Sequence, residues 1–176
     1  MRRIRRRRCC RVRCGATGRG DAAWQQFHPA TDGSVLDKAT QLQRAHRRLY
    51  VAAGLRAWLN KNAPAELLKS WEDGAALAAL PESAPLRKQL LGWAARYLGG
   101  QTEDGRPLDP VARFHLGNGA RVERIHWGAD PSAKGSKQSF GLMVNYLYDL
   151  KRLDKHRAQL AEGKIPIAGA IEALYL

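Results

Sequence analysis

Cysteine is missing from most of this chain. All three cysteines, Cys9, Cys10 and Cys14, fall in the first fourteen positions. An odd, clustered set gives no disulfide framework. Zinc would need further ligands at workable spacing, and the nearest histidine, His28, stands alone. No apolar run approaches the ~18 residues of a membrane span. The N-terminus lacks the apolar core of a secretory signal. Acidic residues are missing ahead of Asp21. These absences set aside a disulfide scaffold, a metal centre and a membrane anchor, and they predict a cytoplasmic protein.

What is present is unevenly placed. Nine arginines (2, 3, 5, 6, 7, 8, 11, 13 and 19) precede the first acidic residue. Of 30 basic residues, 21 then remain against 16 acidic ones, so the formal charge of +14 falls to +5 for the rest. A mildly basic body suits an anionic ligand and does not by itself imply nucleic acid. Residues 1–33 read as an Arg-rich leader without structure, since a like-charged block repels itself and has little to bury. Four readings of it stand side by side. It is a nucleic-acid arm neutralising phosphates, a mitochondrial presequence poor in apolar content, a solvated tail, or translated sequence outside the ancestral frame. The last two together outweigh the functional pair.

At 176 residues the chain has room for one domain beyond such a leader. Residues 34–53 carry helical spacing, with Leu42, Ala45, Leu49, Ala52 and Ala53 on one face. Gly54 marks a break before Leu-Arg-Ala-Trp-Leu. Helices are expected over Ala65 to Trp71 and Ser83 to Leu98, the second with a stripe of Leu86, Leu90, Trp93, Ala94 and Tyr97. Trp58, Trp71 and Trp93 read as core. Gly99 to Pro110 reads as a loop. Val111 to Leu116 and Ala120 to Trp127 flank Gly117-Asn118-Gly119, which predicts a β-hairpin. Ser136 or Ser139 should open a helix striped by Phe140, Met143, Val144 and Leu147, with Tyr148 at its edge. A last helix should span Ile167 to Tyr175. His28, His46 and His156 read as surface residues.

One stretch says more than the rest. Phe114-His115-Leu116-Gly117-Asn118-Gly119 is followed by Arg-Ile-His-Trp and then by Asn145-Tyr146-Leu147-Tyr148. This run resembles the C-terminal part of the catalytic domain of malonyl-CoA decarboxylases. That family carries a histidine in a Phe-His-Leu-x-Asn-Gly context and a tyrosine in an Asn-Tyr-x-Tyr segment. The resemblance implies that His115 is the proton donor, Tyr148 an active-site tyrosine and Asn118 a substrate-binding residue. It also implies an α+β fold, a mostly helical fragment of an acetyltransferase-like (GNAT) domain, covering residues 54–176. The implied reaction turns malonyl-CoA into acetyl-CoA and carbon dioxide in fatty-acid metabolism. No cofactor is expected, because the thioester carbonyl is itself the electron sink. The expected partners are the CoA ester and possible further copies of the chain, with nucleic acid only through the leader.

The departures are as specific as the match. The family's catalytic serine sits in a Ser-Pro-x-Pro-Gly segment just before a Phe-x-x-Trp-Leu-like run. Gly54-Leu55-Arg56-Ala57-Trp58-Leu59 resembles that run, yet Leu49-Tyr50-Val51-Ala52-Ala53 ahead of it holds neither serine nor proline. Ser34 and Ser70 stand in other contexts. The glycine-containing turn that cradles the CoA pyrophosphate in the family has no counterpart. The expectation is therefore a truncated chain, inactive alone, or an inactive remnant. A basic nucleic-acid-binding protein is the rival from another class.

Overall fold

A computed structural model describes residues 49–175. Residues 34–48 of the expected first helix, with the leader, His28 and His46, lie outside that span. Within it Leu49–Val51 is a strand, β1, and not the end of a helix. Leu55–Asn62 forms α1, with Gly54 as its N-cap. Ala65–Ser70 is α2 and Gly74–Ala78 is α3, the latter capped by the Asp73 carboxylate. Pro85–Gly99 is α4, opened by a proline at its first position, where no amide donor is needed. α2 and α4 lie where helices were expected, and Leu90, Ala94 and Tyr97 of the expected α4 stripe are buried, whereas α3 was not foreseen. Leu55 and Leu59 of α1 meet Leu90, Ala94 and Leu98 of α4 in one core that also encloses Trp71. Each such fully buried leucine is worth about 1.5–3 kcal/mol. Trp58 and Trp93 are half-buried and pack edge to face, 6.0 Å between centroids.

The next segment overturns an expectation. Pro110–Gly117 is a helix, α5, and there is no hairpin at 111–127. Asp109 caps it through Oδ1, which accepts from the amides of Val111 (2.7 Å) and Ala112 (2.8 Å). Pro110 supplies the preset φ of a first helical residue. The buried positions Ala112, His115 and Leu116 are three and four apart, the spacing of a helix face. Gly117-Asn118-Gly119 is accordingly a helix-to-strand turn. Gly119, at φ +87, hands the chain to β2, Arg121–His126.

A second exchange of type follows. Ala133–Ser139 is the helix α6, capped by Ser132, and it ends where the expected helix from Ser136 or Ser139 was to continue. Met143–Leu147, expected inside a helix, is the strand β3. Burial alternates through Leu142, Val144, Tyr146 and Tyr148, a period of two. The turn into β3 is held by Phe140 at φ 56, over whose ring the Arg56 guanidinium lies at 3.9 Å.

β3 is the middle strand of an antiparallel sheet ordered β1-β3-β2. Tyr50 pairs with Val144, and Val122 with Tyr146, with a bulge between Val122 and Arg124. Beyond β2, Val122 bridges to Ile167 and covers part of that edge. Leu153–Ala161 forms α7 against α5, and the final helix, α8, is only Gly169–Glu172. α4, α5 and α8 all pack on β2. The fold is α+β. No helix among the described residues is long and apolar enough to cross a membrane.

Candidate active site

Four tyrosines, one histidine and one aspartate meet where α5 lies against the sheet. The strand period puts Tyr146 and Tyr148 on the same side of β3, and the pairing Tyr50↔Val144 brings Tyr50 to that side as well. α5 presents His115 to them, only 3% exposed. Its Nδ1 lies 2.7 Å from the Tyr148 hydroxyl. Its ring stacks on Tyr146 at 4.4 Å and 17°, and Tyr50 lies 4.2 Å away at 59°. The imidazole is thus held in a defined plane, with one nitrogen committed to a tyrosine.

The two foremost sequence candidates, 33 residues apart, are therefore in direct contact. Asn118 stands elsewhere in the arrangement. It is the exposed C-cap of α5, and its side-chain amide donates to the Phe114 carbonyl at 2.9 Å. His156, expected on the surface, is buried at 4% exposure, with Nδ1 2.9 Å from the Gly119 carbonyl oxygen. It ties α7 to the turn that ends α5.

Burial sets the electrostatics. Desolvation raises the pKa of Tyr146 well above the ordinary tyrosine value, and the nearby Asp109, Tyr97, Tyr148 and Tyr50 add to it. Burial raises Tyr148 as well, with Tyr50 as the second cause. Both are neutral phenols at neutral pH, able to donate as well as accept. Asp109 is fully buried. Desolvation raises its carboxyl, while the amides of Ala112 and Val111 pull the other way. Its Oδ2 has no hydrogen-bond partner among the described residues, while the nearby Tyr97 hydroxyl favours the ionised carboxyl.

A carboxyl raised in the folded state stabilises the fold most below its ordinary range, and that stability is lost as pH rises through the raised value. Asp109→Asn keeps the cap acceptor and removes the buried charge. It should be at least as stable as the unaltered chain at pH 7, and that advantage should shrink or reverse by pH 4, where the protonated Asp109 no longer costs the fold anything. Asp109→Ala should lose about 0.5–2 kcal/mol with the cap. Urea melts at pH 4 and pH 7 read this out, and an Asn variant as weak as the Ala variant would contradict it.

Sequence reasoning did not single out Tyr50, Tyr97, Asp109 or Tyr146 as site residues. Asp109-Pro110 carried a usable signal, a capping residue followed by proline. Among the described residues no three His, Cys, Asp or Glu side chains form a group that could hold a metal ion.

The family model of the malonyl-CoA decarboxylase C-terminal domain matches residues 37–175. The chain belongs to the malonyl-CoA decarboxylase family. It is 52% identical over 66 residues to the mitochondrial malonyl-CoA decarboxylase of Rattus norvegicus, a stretch that covers 38% of this chain and 13% of that protein. The enzyme of the same name from Anser anser anser is 47% identical over 66 residues, again 38% of this chain and 13% of that protein. Among solved structures, malonyl-CoA decarboxylase from Cupriavidus metallidurans superposes with a TM-score of 0.60 at 37% identity, over 77% of this chain and 41% of that one. The Rhodopseudomonas palustris structure gives 0.58 at 39% identity, over 72% and 32%. The chain thus spans less than half the length of these relatives. The match takes in β1, so Tyr50 lies within the family domain.

Proposed function

We propose that this chain acts on malonyl-CoA, with His115 as the group that protonates the product carbon, although the segment ahead of Gly54 lacks the family's serine and the expectation from sequence was a chain inactive alone. The bond between the α-carbon and the carboxylate breaks, carbon dioxide leaves, and the electron pair passes into the thioester as an enolate. The carbonyl accepts the charge, so the reaction as read needs no cofactor. A proton then moves from His115 to the α-carbon and gives acetyl-CoA. Histidine suits this step because it exchanges protons near neutral pH. The observation that carries the reading is the 2.7 Å contact between His115 Nδ1 and the Tyr148 hydroxyl. Tyr148 acts through His115 as a positioning residue, and its phenol accepts from Nδ1–H or donates to a bare Nδ1.

Around this pair, Tyr146 and Tyr50 fix the plane of the imidazole. We read the fold as the C-terminal part of an acetyltransferase-like (GNAT) domain, a reading supported by the antiparallel sheet with helices packed on it. Asn118 is assigned to the CoA ester as an exposed contact beside the site. We place the chain in the cytoplasm on the low amphipathic content of its leader.

Tyr148→Phe tests the pairing. A neutral hydrogen bond is worth ~0.5–1.5 kcal/mol net, so carbon dioxide release should slow about twofold to tenfold. The loss should fall on kcat and leave KM near its original value, because the hydroxyl meets His115 and not the substrate. An unchanged kcat, or a loss confined to KM, would remove Tyr148 from this role.

A further inference from the structure

Gly54 sits at φ −94, ψ −3, a backbone conformation open to any residue, so its conformation does not explain the glycine. The explanation lies in α4. A Cβ at position 54 would collide with the Tyr97 hydroxyl oxygen, whereas the ring carbon Cζ behind it would stand at an ordinary 3.4 Å. The β1–α1 corner therefore rests on a tyrosine hydroxyl, and only a residue without a side chain fits. Tyr97 is 2% exposed, its ring packed 5.5 Å from Trp58. On its other side the hydroxyl faces Asp109, the cap of α5. Burial first and the Asp109 carboxyl second push the Tyr97 phenol up, while Arg113 and the Gly54 amide pull it down. The hydroxyl is thus a neutral group placed between a backbone N–H and a buried carboxyl.

These contacts join the two segments that form the site. The corner at Gly54 follows β1, which lays Tyr50 on the His115 ring, and the helix capped by Asp109 carries His115. We infer that Tyr97 is a positioning residue whose hydroxyl spaces the β1–α1 corner from the start of α5 and so sets how Tyr50 meets His115. The functional meaning rests on the reading of His115 as the proton donor. The contact itself does not depend on turnover, and the test reads geometry rather than rate.

The test uses the full chain with Gly54→Ala, Tyr97→Phe and both together, followed by thermal melting and by nitrogen-15 NMR of the imidazole rings. Tyr97→Phe should keep the fold, because the buried ring stays, and should shift the His115 ring resonances. Gly54→Ala should lower the melting temperature by several degrees alone and by less than half as much beside Tyr97→Phe, where the colliding oxygen is gone. If Gly54→Ala alone does not fold, recovery of a folded double variant is the same result, and an unfolded double variant overturns the proposal. Equal melting losses in the two backgrounds overturn the contact. Coupled melting losses with unmoved His115 resonances leave Tyr97 a packing residue and overturn the positioning role. None of these results depends on carbon dioxide release, so failure here is separable from failure of the decarboxylase reading.

Discussion

His115→Ala should slow carbon dioxide release from malonyl-CoA by about 10²–10⁴-fold, the usual contribution of a positioned general acid. The size follows from what the site offers in its place. Tyr146 and Tyr148 are held as neutral phenols by burial, and Asp109 is enclosed behind the cap of α5. None of them is an imidazole, the side chain that ordinarily exchanges protons near neutral pH. Alanine also empties the space between Tyr50 and Tyr146, so some loss of stability is expected, and melting must accompany the rates. His115→Gln separates the two effects. Glutamine retains hydrogen-bonding capacity toward Tyr148 and cannot act as the acid, so it should be nearly as slow as alanine while melting closer to the unaltered chain. Equal rates for the unaltered chain and a folded His115→Ala variant would remove His115 from catalysis.

The largest structural effect is expected two residues past the helix that carries His115. Gly119 has φ +87, and a Cβ there would stand 2.7 Å from the Leu153 carbonyl oxygen and 3.0 Å from its Cα. Both neighbours are backbone at the start of α7, so neither can swing aside. The left-handed backbone costs a non-glycine residue ~1–3 kcal/mol, and the overpacking costs another ~1–3 kcal/mol. Gly119→Ala should therefore lose roughly 2–6 kcal/mol. The His156 bond to the Gly119 carbonyl should weaken with it, since both belong to the same junction of α5, β2 and α7. Gly117 is the internal control. It ends α5 at negative φ with nothing within 4 Å of an added Cβ. Gly117→Ala should be neutral or gain a few tenths of a kcal/mol from helix propensity, up to about 1 kcal/mol at most. Urea unfolding of the pair checks the contrast, and similar losses at both positions would contradict it.

How much of this was legible in the sequence depended on which period a short apolar segment displayed. α4 is fifteen residues long and showed its helical stripe plainly. Val111 to Leu116 is too short to separate periods, and its alternation of apolar and polar residues imitates a strand. The decisive signal was outside the stretch, in Asp109-Pro110, which caps and opens a helix. Phe140, Met143, Val144 and Leu147 imitated a helical stripe in the same way, while Leu142, Val144, Tyr146 and Tyr148 carried the true period of two. The error had a consequence for the site. A helix leaves Tyr146 and Tyr148 on different faces, whereas the strand turns both toward His115.

The residue types of the motif survived these exchanges because the resemblance rests on identities and not on the elements that carry them. Tyr50 and Tyr97 are brought in by pairing and packing across the chain, which no local pattern encodes. Tyr97 belonged to an apolar stripe and reads there as core. Only the three-dimensional arrangement shows its hydroxyl against Gly54 and Asp109. His156 was misread for the same reason, since its partner, the Gly119 carbonyl, is 37 residues away.

The central claim is that this site removes the carboxylate of malonyl-CoA and returns a proton to the carbon through His115. It is tested most directly by incubating the purified full chain in heavy water with malonyl-CoA labelled at the free carboxyl carbon. The account predicts labelled carbon dioxide and acetyl-CoA in equal amounts, with a deuteron in the acetyl methyl group, and near-complete loss of both products in His115→Ala. Malonyl-CoA recovered unchanged from a chain that melts cooperatively would contradict it.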